Sequence, residues 1–217
     1  MKKSISLFIL FTFISISASA QIRLGVRTGL TFNNLLYTQT QDPDLKSSSS
    51  EMVQWNAATV ANYRFNTFFS LQTEFIYTIL GKNYTQHTYY TDMFGDVYTN
   101  YDNIKIRLQY FEIPLLAKFT IFGNNKANLD ILAGAFAGYK LSAKQKTGDE
   151  SFHDKSSDYT SWNAGITLGI GFSIMQQRMF FEMRANRGLV NINENTKVNT
   201  IQAMYTVGYY LFRGKKK

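Results

Sequence analysis

Residues 22–32 read Ile22-Arg23-Leu24-Gly25-Val26-Arg27-Thr28-Gly29-Leu30-Thr31-Phe32. One alternate set is Ile22, Leu24, Val26, Thr28, Leu30 and Phe32; the other is Arg23, Gly25, Arg27, Gly29 and Thr31. Successive side chains of a strand point to opposite faces, so strict alternation over this length predicts a β-strand with one apolar and one polar face. The polar face mixes arginine with glycine, and that combination bears on which face is inside.

The alternation recurs along the chain. Val53, Trp55, Ala57, Thr59, Ala61 and Tyr63 oppose Gln54, Asn56, Ala58, Asn62 and Arg64. Phe69, Leu71, Thr73, Phe75, Tyr77 and Ile79 oppose Ser70, Gln72, Glu74 and Thr78. Further strands are predicted over residues 128–140, 162–172, 181–186 and 201–212, each with the same two faces. Residues 104–122 are less regular. Ile104, Ile106 and Leu108 are read as outward and Lys105, Arg107 and Gln109 as inward. A bulge near Tyr110-Phe111 then switches parity and returns Glu112 to the polar side. Pro114, which cannot donate to a ladder, agrees with an irregularity there.

This gives about eight strands, an even number. Short connections are expected at Phe65-Asn66-Thr67, residues 123–126 and residues 175–178. Long polar ones are expected over residues 33–51, 86–103, 143–158 and 190–199. Short turns at one end and long loops at the other are the topology of an outer-membrane barrel.

A soluble barrel also alternates, with its apolar face inward. Here Gly25, Gly29, Gly134, Gly138, Gly165, Gly169, Gly171 and Gly208 all fall on the polar face. Inside a narrow barrel small residues make room for large neighbours. The same face carries charges of both signs. An Arg or Lys pointed at the bilayer midplane costs about 2–4 kcal/mol, so these residues belong inside. The predicted lumen network is Arg23, Arg27, Arg64, Glu74, Arg107, Glu112, Lys118, Glu182 and Arg184. The fold class is all-β: a single antiparallel up-and-down transmembrane barrel of about eight strands with a filled lumen. Aromatic girdles are expected from Trp55, Tyr63, Phe69, Tyr84, Phe122, Tyr139, Trp162, Phe172, Phe180 and Tyr209, since amphipathic rings favour headgroup depth.

The start of the chain agrees with export. Met1-Lys2-Lys3, an apolar run over residues 5–16 and Ala18-Ser19-Ala20 have the three parts of a secretory signal peptide. Cleavage before Gln21 removes 20 of 217 residues and leaves 197. Residues 1–20 are thus read as a leader and 21–217 as one barrel domain in the bacterial outer membrane. There is no cysteine, which excludes disulfides, thiolate metal sites, a cysteine nucleophile and a lipoprotein anchor. The net charge is +8; losing Lys2 and Lys3 takes two from it and leaves +6. Beyond the tail Lys215-Lys216-Lys217 the positive residues are scattered, without the basic stripe of a nucleic-acid binder.

Several stretches are similar to a known family. Residues 25–30 followed by Asn33-Asn34-Leu35 resemble the opening strand of PorT-like outer-membrane β-barrel proteins of the Bacteroidetes. Leu108-Gln109-Tyr110-Phe111-Glu112-Ile113-Pro114-Leu115-Leu116-Ala117-Lys118 resembles that family's Tyr-x-Glu-Ile-Pro signature. Residues 133–139 resemble its next strand, and residues 171–192 its penultimate hairpin. The resemblance implies the barrel and little more: most members have no assigned activity, and the namesake acts in assembling a secretion system.

Chemistry is sparse. The two histidines, His87 and His153, lie in predicted outer loops with Ser151, Asp92, Asp96, Asp149, Asp154 and Asp158. An outer-leaflet lipid-modifying enzyme would use such groups, but a triad needs geometry that sequence proximity does not supply. No calcium-loop spacing appears, and no cofactor is implied. A solute porin is disfavoured because eight strands enclose a side-chain-filled interior. The preferred role is structural or binding: a monomeric barrel or a subunit of an envelope complex, embedded in outer-membrane lipid. The outer loops, above all the tyrosine-rich one (Tyr84, Tyr89, Tyr90, Tyr98, Tyr101), are the candidate contact with a protein partner.

Overall fold

The computed structural model describes residues 21–37, 52–124, 126–193 and 197–214. The expected leader, residues 38–51 of the first expected loop and the lysine tail lie outside the described residues, while residues 33–37 of that loop are strand. Among the described residues there are nine strands: β1 (Gln21–Tyr37), β2 (Met52–Arg64), β3 (Phe69–Thr91), β4 (Val97–Gly123), β5 (Asn128–Thr147), β6 (His153–Asp154), β7 (Trp162–Ile174), β8 (Met179–Gly188) and β9 (Val198–Arg213). Eight of them form a closed antiparallel ring in which β1 pairs with both β2 and β9. The two-residue β6 lies outside the ring, against Lys144 and Gln145 of β5. Within the closed ring each strand has a partner on both sides, which is what a membrane demands of a sheet; the outer ends of β3 and β4 run past their ladders with β2 and β5.

The lipid-facing wall is apolar. Leu30, Trp55, Phe75, Leu115, Ile131, Leu168, Ile170 and Met183 are exposed large side chains on its outward positions. Aromatic contacts run across it at two heights. Near the turn end, Phe65 stacks on Phe69 at 5.3 Å and Phe69 meets Phe119 at 5.1 Å; nearer the loop end, Tyr139 meets Trp162 edge-on at 5.2 Å. Two expected girdle residues point the other way. Phe180 is fully buried in the lumen against Tyr210, and Tyr84 packs against an apolar cluster inside the barrel. A Cβ on Gly208 would overlap the Phe180 ring, so this glycine is the space that lets the ring turn inward.

The expected parity switch in β4 is corrected. From Ile104 to Lys118 the even-numbered residues are buried without interruption, so Ile104, Ile106 and Leu108 face inward with Tyr110, Glu112, Leu116 and Lys118. The irregularity sits across the ladder in β5. Gln109 pairs with Ser142 and Tyr110 with Lys140, leaving Leu141 as the extra residue. Pro114 leaves its own trace: the β3–β4 register passes from Thr73↔Leu115 to Ile76↔Glu112, as expected where no N–H is available.

The second expected loop is mostly strand. The β3–β4 ladder continues to Thr91↔Val97, whereas β4–β5 pairing ends at Ile104↔Thr147. Residues 85–91 and 97–103 therefore form a hairpin extending beyond the β4–β5 ladder, roughly 23 Å long at about 3.3 Å per residue.

Candidate functional site

The lumen is built from the turn end upward. At its base the β7–β8 turn places Met175, Gln176 and Gln177 at φ of 51°, 57° and 64°, a left-handed run that costs non-glycine residues about 1–2 kcal/mol each. The return is the Gln177 side chain. It is buried, its Oε1 accepts from Arg23 (2.9 Å) and Arg64, and its Nε2 donates to Asn124 O (2.9 Å). One amide thereby ties β1, β2 and two turns together across the mouth. The crevice beside it, between Arg23, Arg64, Lys118 and Asp130, is about 10 Å³, room for about one water.

The middle of the lumen holds three cations and three carboxylates. Arg27 Nε donates to Glu74 Oε2 at 2.7 Å. Arg184 bridges Glu74 and Glu182. Lys118 donates to Glu182 at 2.9 Å and lies 3.4 Å from Asp130. Gln72 donates to Glu74 (2.7 Å) and accepts from the Tyr210 hydroxyl (3.2 Å), while Asn56 accepts from Arg27 (3.2 Å). Every one of these side chains is buried. Such pairs add little net stability relative to apolar filling, but removing one partner strands a buried charge at about 3–5 kcal/mol.

Above this network Glu112 accepts from Gln202 at 3.1 Å. The loop end is then closed by apolar side chains: Leu35, Leu80, Ile104, Ile106, Leu108, Tyr110, Ala143, Ile192 and Val198.

Of the nine residues expected in the lumen, the structure places Arg27, Glu74, Lys118, Glu182 and Arg184 in one ion cluster, Arg23 and Arg64 at the base, and Glu112 above. Arg107 is the exception. It is exposed on the outer wall with its guanidinium 4.8 Å from the Phe152 ring centroid, because β4 keeps its parity. Sequence reasoning omitted Asp130, although it lies on the polar face of its strand. It also omitted Gln177, whose turn position carries no alternation to read.

The loop groups serve turns. Asp92 Oδ1 accepts from Phe94 N (2.9 Å) and Asp96 N (3.0 Å), shaping the hairpin tip. Asp154 Oδ1 accepts from Ser156 N at 2.8 Å, and this hydrogen bonding holds its carboxyl below the usual range. His153 lies 3.6 Å from Glu150, with both side chains about two-thirds exposed, and Lys155 faces Asp158. Ser151 is exposed, and the His87 side chain lies outside the described residues. The hairpin is the other prominent feature. Its tip presents Met93 at 90% and Phe94 at 84% exposure, with Tyr89, Val97 and Tyr101 exposed beside it.

The chain is similar to several outer-membrane proteins of known structure. Ail of Yersinia pestis, solved with the heparin analogue sucrose octasulfate, is 12% identical with a TM-score of 0.44, covering 90% of this chain and 99% of that one. Neisserial surface protein A is 11% identical with a TM-score of 0.44, covering 87% and 97%. OprG of Pseudomonas aeruginosa is 14% identical with a TM-score of 0.38, covering 90% and 95%. No curated protein matches the chain. Residues 16–194 match the model of the outer membrane protein beta-barrel domain, and the chain belongs to that family.

Proposed function

We propose that this protein is a non-conducting outer-membrane scaffold, exported by a leader over residues 1–20, that offers its β3–β4 hairpin to a protein partner in an envelope complex. The observation that carries this reading is the hairpin itself. About seven residues of each strand run past the end of the β4–β5 ladder, and the tip places Met93 and Phe94 almost wholly in solvent. Large exposed apolar side chains grouped on a projection, rather than scattered, are typical of interaction sites, and tyrosines alongside supply rigid amphipathic contact area. The filled lumen supports the non-conducting part: ion pairs occupy its middle and apolar side chains its loop end.

A finer placement among PorT-like barrels rests on the 110–118 segment, whose inward residues Tyr110, Glu112, Leu116 and Lys118 form one buried column. In that reading the partner belongs to surface or secretion machinery.

The test is affinity purification in mild detergent of the wild type and of a variant with residues 91–97 replaced by a two-residue Asn-Gly turn. The variant is first shown to keep heat-dependent gel mobility. A stoichiometric partner retained by the wild type and lost by the variant is expected. A partner retained equally, or none in either, defeats the proposal. Single-channel recording should show no steps, and N-terminal sequencing of the membrane form should begin at Gln21.

A further inference from the structure

The unbroken parity of β4 puts positive charge on the outer wall of the barrel. Arg107 pairs across the ladder with Lys144, and Lys105 with Lys146. All four occupy outward positions; Lys105, Arg107 and Lys144 are exposed and Lys146 half-buried. Like charges directly opposite each other on one face of a sheet are destabilising, and here two such pairs are stacked. The loop acids lie to one side. Asp154, held by Ser156, is the direct ladder partner of Lys144 on its other side, so one of the four cations has a carboxylate beside it. Asp149 borders the same region, and Glu150 faces His153. One acid facing Lys144 and two nearer the rim do not explain two matched cation pairs on the wall.

Height along the wall indicates what does. Phe111 faces outward beside Phe75 and pairs with Tyr139, which meets Trp162 in the loop-end aromatic belt. At about 3.3 Å per residue, Arg107 and Lys105 lie roughly 13 and 20 Å along β4 beyond Phe111. A strand tilt of about 40° reduces these to roughly 10 and 15 Å above the belt. That is headgroup depth in the outer leaflet, above the hydrocarbon and below the hairpin tip. A cleft of about 500 Å³ adjoins Lys105 and Lys146, with the exposed Tyr101 ring, the Asn103 amide and the Asp149 carboxylate on its walls. Cations, an amide and an aromatic face suit a phosphorylated sugar: charge-assisted bonds hold the phosphate and the ring packs on the sugar. Arg107 is already steadied by Phe152.

We propose that Lys105, Arg107, Lys144 and Lys146 form a binding site for the phosphate groups of an anionic glycolipid headgroup in the outer leaflet. The site lies on the lipid-facing side of the wall and is separate from the hairpin tip. Bound phosphate would relieve the repulsion between the paired cations, so the lipid and the outer half of the β4–β5 ladder would order each other.

The test titrates the purified, detergent-solubilised membrane form with fluorescent bisphosphorylated lipid A. Saturable binding is expected, weakened at least about tenfold in the K105Q/R107Q/K144Q/K146Q variant, and weakened similarly when the lipid is first dephosphorylated. A K126Q/R178Q variant, which removes exposed cations at the opposite, turn end of the barrel, should bind like the wild type. Equal binding by the quadruple variant, or by the dephosphorylated lipid, overturns the proposal. Inorganic pyrophosphate matching the lipid in affinity overturns the lipid source and leaves a soluble-anion site. If the quadruple variant loses heat-dependent gel mobility, the K105Q/K146Q pair is titrated instead. A fall of about threefold or more supports the site, and unchanged affinity overturns it.

Discussion

Strand β4 crosses two regions of the barrel with a single side-chain parity. On the turn side its inward residues include Glu112 and Lys118, and its outward residues are Phe111, Ile113, Leu115 and Phe119. On the loop side the inward residues are Ile104, Ile106 and Leu108, and the outward ones Lys105 and Arg107. The inside is polar where the outside is hydrocarbon, and apolar where the outside is headgroups and water. Each region satisfies the same requirement, that the surface match its solvent, and the solvent changes near Tyr110. Apolar residues can fill the lumen above the hydrocarbon because there the hydrophobic effect drives them together. Within the bilayer lipid tails are as apolar as leucine, so burial gains nothing and the lumen is free to use ion pairs.

The sharpest way to break the comparison is to unbalance the ion cluster. Glu182→Gln leaves Arg184 and Lys118 short of a carboxylate. It should lower unfolding free energy by about 3–5 kcal/mol, read from urea titration followed by gel mobility. In the other region Leu108→Ala opens a cavity in the apolar cluster and should cost about 2–5 kcal/mol, with Glu182→Gln the larger of the two in the same assay. A lysine probe then separates the two outer walls. Leu168→Lys, on the lipid-facing wall, should cost about 2–4 kcal/mol, whereas Lys105→Leu above the hydrocarbon should stay within about 0.5 kcal/mol. Equal effects would mean that the solvent boundary does not fall near Tyr110.

The smallest expected effect is a pH dependence in the outer loop. Hydrogen bonds from Ser156 favour the ionised form of Asp154. A carboxyl lowered on folding stabilises above its unfolded value, about 3.9, and that contribution fades as pH falls through the lower folded value. Protease protection of residues 153–158 should therefore weaken only below about pH 4, and in Asp154→Asn it should no longer change there.

Much of the fold was legible because alternation is a local property. The inward and outward faces of β1, β2, β7, β8 and β9 follow from residue type alone, since lipid excludes charge from one side. The ion cluster was readable for the same reason: Arg27, Glu74, Glu182 and Arg184 fall on the polar face of well-patterned strands. What misled was applying one solvent to the whole length of β4. Lys105 and Arg107 look like lumen residues beside Ile104 and Ile106 only if hydrocarbon lies outside them. The same assumption turned the β3–β4 hairpin into a loop, because polar strands in water lack a hydrophobic face to announce them.

By itself, then, the sequence determined a closed barrel with an apolar girdle and a charged, glycine-relieved interior, because those choices are forced residue by residue by the bilayer. Tertiary structure alone decided where along each strand that bilayer stops, and with it the outward position of four cations. It alone also decided that Gln177 would reach across the mouth from a left-handed turn. Both depend on strands brought together from distant parts of the chain, and no local pattern encodes which neighbours or which solvent a residue meets there.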